Sequence, residues 1–210
     1  MKIFDISRPL FNGLAPWPGD TAFQYELKWK MVEGATVNVG AITMGVHNGS
    51  HADAPFHFQQ GAMTIEQLPL EVYLGDAVVI DLSEKFGTDR KCQITIADLE
   101  SSPEVPRLLL KTSAWRDSMV FPEWIPVIAP DVAEWLAKRN VRLLGLDLPS
   151  VDPIEAKVLL NHHALASAGI AIVESLDLSE IEAGTYKFSA LPLRINGGDA
   201  APVRAILWRD

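Results

Sequence analysis

The sequence predicts an α/β protein: one domain over residues 1–210, with a mixed β-sheet core flanked by helices. Three observations predict it. Alternating segments come first, as in antiparallel strands with one wet face. Four short, nearly continuous apolar runs follow, at 77–82, 107–110, 142–146 and 170–173, and such runs suit strands covered on both faces. Helical segments fall between those runs, giving strand–helix alternation in the middle of the chain and strands again at its end.

Taken in order, residues 2–6 read as a first strand, followed by turn chemistry at Pro9, Asn12-Gly13 and from Pro16 to Asp20. Residues 23–31 and 36–44 read as an antiparallel hairpin turning at Glu33-Gly34. Residues 64–67 suit one helical turn. Thr95 opens a short helix, and residues 130–139 place Val132, Trp135 and Leu136 on one helical face. Asp152-Pro153 reads as a helix start, with Asp152 as N-cap, Pro153 at the first helical position and Glu155 three residues after the cap. Residues 184–193 and 202–208 close the chain as strands around Gly197-Gly198. The longest irregular connection, 113–126, carries Trp115, Phe121, Trp124, Pro122 and Pro126. It reads either as a lid or dimer contact, or as a loop packed on the surface by its own aromatics. No repeat, low-complexity tract or linker divides the chain.

Composition narrows the function. Lysine and arginine number 18 against 27 aspartates and glutamates, a net charge of −9, which argues against nucleic acid or an anionic membrane surface as partner. The start Met1-Lys2-Ile3-Phe4-Asp5 lacks the apolar region of a signal peptide, and no later run reaches membrane-spanning length. The single cysteine, Cys92, excludes an internal disulfide, fits a reducing cytoplasm and reads as a structural thiol.

The histidines are concentrated. Three of five, His47, His51 and His57, fall between Gly45 and Phe58; the others are the pair His162-His163. Gly49 and Pro55 argue against one continuous helix here. In extended backbone His51 and Asp53 share a side, and a turn at Asn48-Gly49 brings His47 back toward them. Two imidazoles and a carboxylate around a point suit Zn²⁺ or a similar divalent ion. Pro55 stiffens the path to His57, which sits near the metal without binding it. On a helix His162 and His163 diverge by about 100°, so one faces an ion while the other packs elsewhere. Glu174 ends an apolar run; by spacing alone it is a solvated strand-end residue. Trp17, between Pro16 and Pro18, is either core filler or an exposed platform for a ligand.

The segment from His47 to Phe58 resembles the His-x-Gly-Thr-His-x-Asp-x-Pro-x-His-Phe signature of the metal-dependent cyclase-like hydrolase family. Ser50 stands where that family usually has threonine and keeps the hydroxyl. Trp17-Pro18-Gly19-Asp20, Asp147-Leu148-Pro149-Ser150-Val151-Asp152-Pro153, His162-His163-Ala164, Glu174 and the stretches 190–194 and 201–205 follow the family's order, so the resemblance spans nearly the whole chain. It implies a cyclase-like fold of the swivelling β/β/α type and two divalent ions per subunit, Zn²⁺ foremost and Mn²⁺ as the alternative. The first ion would take His47, His51 and Asp53, and the second His162. Asp53 and Glu174 would touch both, since the family places a histidine and a bridging glutamate twelve residues apart (174 − 162 = 12). It further implies His57 as general acid/base, Trp17 at the substrate, a homodimer, and hydrolysis of a small aryl formamide, N-formyl-L-kynurenine, to L-kynurenine and formate. Gly-x-Ser-x-Gly does not occur, which argues against a serine-hydrolase route. The rival readings are a lactam-opening enzyme of the isatin-hydrolase kind and, from a different class, a metal-stabilised binding protein without turnover. An unligated base such as His57 argues against the latter.

Overall fold

The four apolar runs become four neighbouring parallel strands. A computed structural model describes residues 1–88 and 93–209; Cys92 lies outside the described residues. In chain order the elements are β1 (Lys2–Asp5), β2 (Gln24–Trp29), β3 (Val39–Thr43), β4 (His51–Asp53), β5 (Leu74–Asp81), α1 (Ser83–Thr88), α2 (Ile96–Leu99), β6 (Arg107–Lys111), α3 (Val132–Lys138), β7 (Leu143–Leu146), α4 (Leu160–Ser167), β8 (Ala171–Glu174), β9 (Gly184–Ser189), β10 (Ala200–Pro202) and β11 (Ile206–Arg209). Among the described residues nine strands form one mixed sheet in the order β1-β11-β9-β5-β6-β7-β8-β4-β10, and β2 and β3 form a separate hairpin. Only β5 through β8 run parallel; every other pairing is antiparallel.

The two faces of this sheet are covered differently. Val78, Leu108, Leu110, Leu144 and Ile172 pack against helix residues Phe86, Leu99, Val132, Leu136 and Leu165. The opposite core needs no α-helix: it joins Val79, Leu109 and Val173 from the centre with Leu207 from one end and Ala52 and Ala201 from the other. Residues from opposite ends of a sheet can share a core only if the sheet curls, and Ser7 bridges Leu176 to bring the extensions of β1 and β8 together. The flanking helices therefore lie on one face alone.

Most expected elements fall where the sequence puts them. The hairpin forms with Gly34 at φ +94°, where a side chain would be strained. Thr64 and Thr95 each make a capping box. The expected helix at Asp152-Pro153 does not form: residues 153–159 are irregular, and α4 begins at Leu160. Asp152 caps that later helix instead, its carboxylate accepting the N–H groups of Asn161 (2.9 Å) and His162 (3.0 Å). The expected strand over 202–208 is two, because the chain leaves the β4 side of the curled sheet after Pro202 and joins β9 on the other.

Candidate metal centre

β4 is wedged between β8 and β10, which sets His51 opposite Glu174 and Asp53 opposite Ala200. Alternation turns the side chains of His51 and Asp53 to the same face. Just before β4 the chain turns through Gly49 at φ +67°, where a Cβ would lie 2.6 Å from Leu10 Cδ2, so glycine is required. The turn returns His47, whose Nδ1 lies 3.2 Å from Asp53 Oδ1. The Ser50 hydroxyl accepts the Arg8 N–H (2.8 Å) and donates to the Ser175 carbonyl (2.7 Å), tying the start of β4 to the residue after Glu174.

Two imidazoles are held so that one nitrogen of each faces the carboxylates. His51 Nδ1 donates to the Gly49 carbonyl at 2.9 Å, leaving Nε2 at 3.4 Å from Asp53 and 3.5 Å from Glu174. His162 Nδ1 donates to Asp152 at 2.7 Å, leaving Nε2 at 3.4 Å from Asp53 and 3.6 Å from Glu174. The Val151 N–H fixes Glu174 Oε1 at 2.9 Å. His51 Nε2 and both Asp53 oxygens are buried without a hydrogen-bond partner, an expensive arrangement unless a positive charge sits among them. Asp53 is common to two groups of donors whose atoms lie within 4.8 Å of one another: His47, His51 and Asp53, and Asp53, His162 and Glu174. Imidazole and carboxylate donors in this number suit a divalent cation, and the residues fit one.

The electrostatics separate these histidines from His57. Burial works against protonation of His47, His51 and His162, but the carboxylates beside them outweigh it and raise their pKa values to about 9, 10 and 10. Burial pushes Glu174 up, helped by the charge on Asp53, whereas Asp53 is held well below the usual carboxylate range because its three imidazole neighbours outweigh burial. His57 shifts the other way. Burial lowers it, and the charges of His47 and His162 add to that effect against the pull of Asp53. The carboxylates thus draw positive charge to one point, while His57 beside them is shifted toward its neutral form.

His47, His51, Asp53, His57, His162, Glu174 and Trp17 all come to this place, whereas His163 is exposed and packs on Phe58. His57 packs against His47 with ring centroids 4.2 Å apart and the rings tilted, and Trp17 lines the cavity above the centre. That cavity has a volume of about 450 Å³. Trp115 and Phe121 join Trp17 in its wall, with Phe121 5.1 Å from Trp17 and 6.0 Å from Trp115. The loop 113–126 is thus part of the site. Its start is anchored by Asp147, which accepts the N–H groups of Thr112 (2.8 Å) and Ser113 (2.7 Å) and the Thr112 hydroxyl (2.7 Å). Asp199 was not foreseen. It accepts from His47 Nε2 at 3.0 Å and His57 Nδ1 at 3.4 Å, and the bond from His47 lowers its own pKa to about 2. The only local signal was its position after the Gly197-Gly198 turn.

The fold and this donor set define a hydrolase with a metal centre, and comparison places it: residues 4–153 match the family described as "Putative cyclase", and the chain belongs to that family. Its relatives include the kynurenine formamidases of Geobacillus thermodenitrificans, 46% identical over 97% of this chain and 95% of that one, and of Bacillus cereus, 43% identical over the same shares. Among solved structures, one titled as a potential metal-dependent hydrolase with cyclase activity superposes with a TM-score of 0.81 at 29% identity, covering 98% of this chain and 96% of that one. Isatin hydrolase A of Labrenzia aggregata superposes with a TM-score of 0.83 over 98% and 93%, and at 24% identity it shows a shared fold.

Proposed function

We propose that this protein hydrolyses N-formyl-L-kynurenine to L-kynurenine and formate, with two divalent ions per subunit, Zn²⁺ foremost and Mn²⁺ as the substitute. The observation that carries the reading is the pair of donor groups sharing Asp53, set beneath an aromatic cavity and beside His57, which Asp199 holds through Nδ1. The kinship with kynurenine formamidases supports the substrate. His47, His51 and Asp53 would hold one ion and Asp53, His162 and Glu174 the other. Bound divalent cations lower the pKa of water from about 15.7 to about 7, which supplies the nucleophile at neutral pH.

The chain's own residues do the rest. His57 takes the proton of the attacking water as its oxygen joins the formyl carbon, and returns it to the anilide nitrogen as the C–N bond breaks. Asp199 orients His57 through Nδ1, leaving Nε2 for the proton. Trp17, Trp115 and Phe121 pack the aryl ring and exclude water, which strengthens each electrostatic contact below. The acidic net charge supports a small-molecule partner rather than nucleic acid. Exposed Trp29, Val32 and Ile42 on the β2–β3 hairpin support a homodimer. No helix among the described residues is long and apolar enough to cross a membrane, and the single cysteine supports the cytoplasm as the place of action.

The test joins metal analysis to turnover. Purified protein should release formate from N-formyl-L-kynurenine, stop when a chelator strips it, and resume with Zn²⁺ or Mn²⁺. Full activity in protein shown to be metal-free overturns the mechanism. Faster opening of isatin than cleavage of the formamide overturns the substrate.

A further inference from the structure

Asp20 closes the Trp17-Pro18-Gly19-Asp20 turn and lines the cavity, yet nothing in the reaction above uses it. The turn is well fixed: the Asp20 N–H donates to the Trp17 carbonyl at 2.9 Å, Gly19 sits at φ +91°, and Asp20 Oδ1 accepts the Thr21 N–H at 2.6 Å. Space has been kept for the carboxylate. A Cβ at Gly45 would lie 2.4 Å from Asp20 Oδ2 and 2.7 Å from Oδ1, so a side chain at residue 45 would push Asp20 out of its place. Gly45 has no positive φ, which leaves this close approach as the structural reason for a glycine there. The carboxylate nonetheless makes no ion pair among the described residues. No lysine or arginine among the described residues lines the cavity. Its other carboxylate outside the donor groups that share Asp53, Asp199, is already bound to His47 and His57.

An aromatic pocket with a carboxylate outside any ion pair at its rim and no basic side chain in its wall selects a ligand that carries an aryl ring and a positive charge. We propose that Asp20 is the specificity residue that binds the α-ammonium group of the amino-acid side chain on the substrate's aryl ring, leaving the α-carboxylate toward solvent. This rests on the formamide reading above and adds the part of the substrate that the metal centre does not touch. Because Asp20 is exposed, the contact is worth up to about fivefold in affinity rather than the larger factor of a buried charge-assisted bond.

The experiment compares two ligands that differ only in the ammonium: L-kynurenine, and its desamino analogue in which hydrogen replaces that group. Their affinities for the metal-loaded protein are measured by calorimetry, and kcat/KM is measured for the two N-formyl derivatives. The wild-type protein should prefer the ammonium-bearing member of each pair. Asp20→Asn, which retains the acceptor for Thr21, should reduce that preference by up to about fivefold. Gly45→Ala keeps the charge but displaces it, and should reduce the same ratio while metal content stays at the wild-type level. An Asp20→Asn protein with an unchanged preference overturns the assignment. Wild-type protein that binds L-kynurenine with the preference but cleaves neither formamide would instead overturn the reaction and leave the ammonium site standing. Binding of neither ligand overturns both.

Discussion

Replacing Asp152 with alanine should weaken the metal centre through a residue that touches no metal. Three bonds end on this one buried carboxylate: two from the first turn of α4 and one from His162 Nδ1. Losing an N-cap acceptor costs roughly 0.5–2 kcal/mol, and losing a charge-assisted bond to a buried partner about 1.5–3 kcal/mol. The bonds share one side chain and are not additive, so a loss of about 2–3 kcal/mol is expected. For a chain of this size that corresponds to a Tm lower by about 4–12 °C. With Nδ1 unheld, the ring no longer presents Nε2 to Asp53 and Glu174, and such supporting losses typically weaken metal binding about 10–100-fold. Asp152→Asn separates the two roles. One amide oxygen in the Oδ2 position keeps both bonds from His162 and gives up only the one from Asn161, so both losses should be smaller. The assay is calorimetric titration of chelator-stripped protein with Zn²⁺, alongside a thermal melt of the same sample. Wild-type metal affinity in Asp152→Ala, whatever its Tm, would refute the claim that Asp152 orients the ligand.

The adjacent histidines should part company: His162→Ala loses one metal equivalent by stoichiometry while His163→Ala, altered at an exposed ring against Phe58, keeps both. His57→Ala should keep its metal and lose roughly 10²–10⁴-fold in kcat, and metal loss in this variant would make His57 a ligand. Trp17→Ala should instead raise KM more than it lowers kcat, since its ring packs the substrate rather than moving a proton; an equal fall in kcat would place it in the chemistry. For pH, the conjugate acid of His57 lies below its ordinary 6.5, so the base is neutral and competent above that value. His57 should therefore add an acid limb to kcat/KM below pH 6.5, beneath the one near pH 7 that ionisation of the metal-activated water would give, and the absence of any limb below pH 6.5 would count against His57 as the base.

Much of this site was legible because its chemistry is local. His51 and Asp53 are two apart, and any extended backbone puts them on one side; Gly49 announced the turn that returns His47. The central strands were legible because burial on both faces leaves an apolar run that needs no partner to recognise, although the run does not give the strands' direction. Asp152 was misread for the same reason that capping rules usually work. They assume that a cap serves the helix beginning next to it, whereas this carboxylate serves N–H groups nine and ten residues on. Asp199 could not be found from spacing, since it lies 142 residues from His57 and the two meet only because β10 pairs with β4. The role of loop 113–126 was likewise hidden: aromatics that pack on one another read the same in sequence whether they line a cavity or cover a surface.

The position of β4 has a consequence for how the protein is made. The strand that carries His51 and Asp53 leaves the ribosome early, but both of its neighbours, β8 and β10, are synthesised more than a hundred residues later (171 − 53 = 118). Until then the first donor group is a short strand with two unpaired edges and a buried-type carboxylate in water. The second group cannot exist at all before Glu174. A nascent chain can therefore hold a metal ion loosely but cannot close the centre, and the completed ligand set is a mark that the far end of the sheet has arrived. Once closed, a cation held by Asp53, His162 and Glu174 would clamp residues 121 positions apart (174 − 53 = 121), much as a cross-link of that span would.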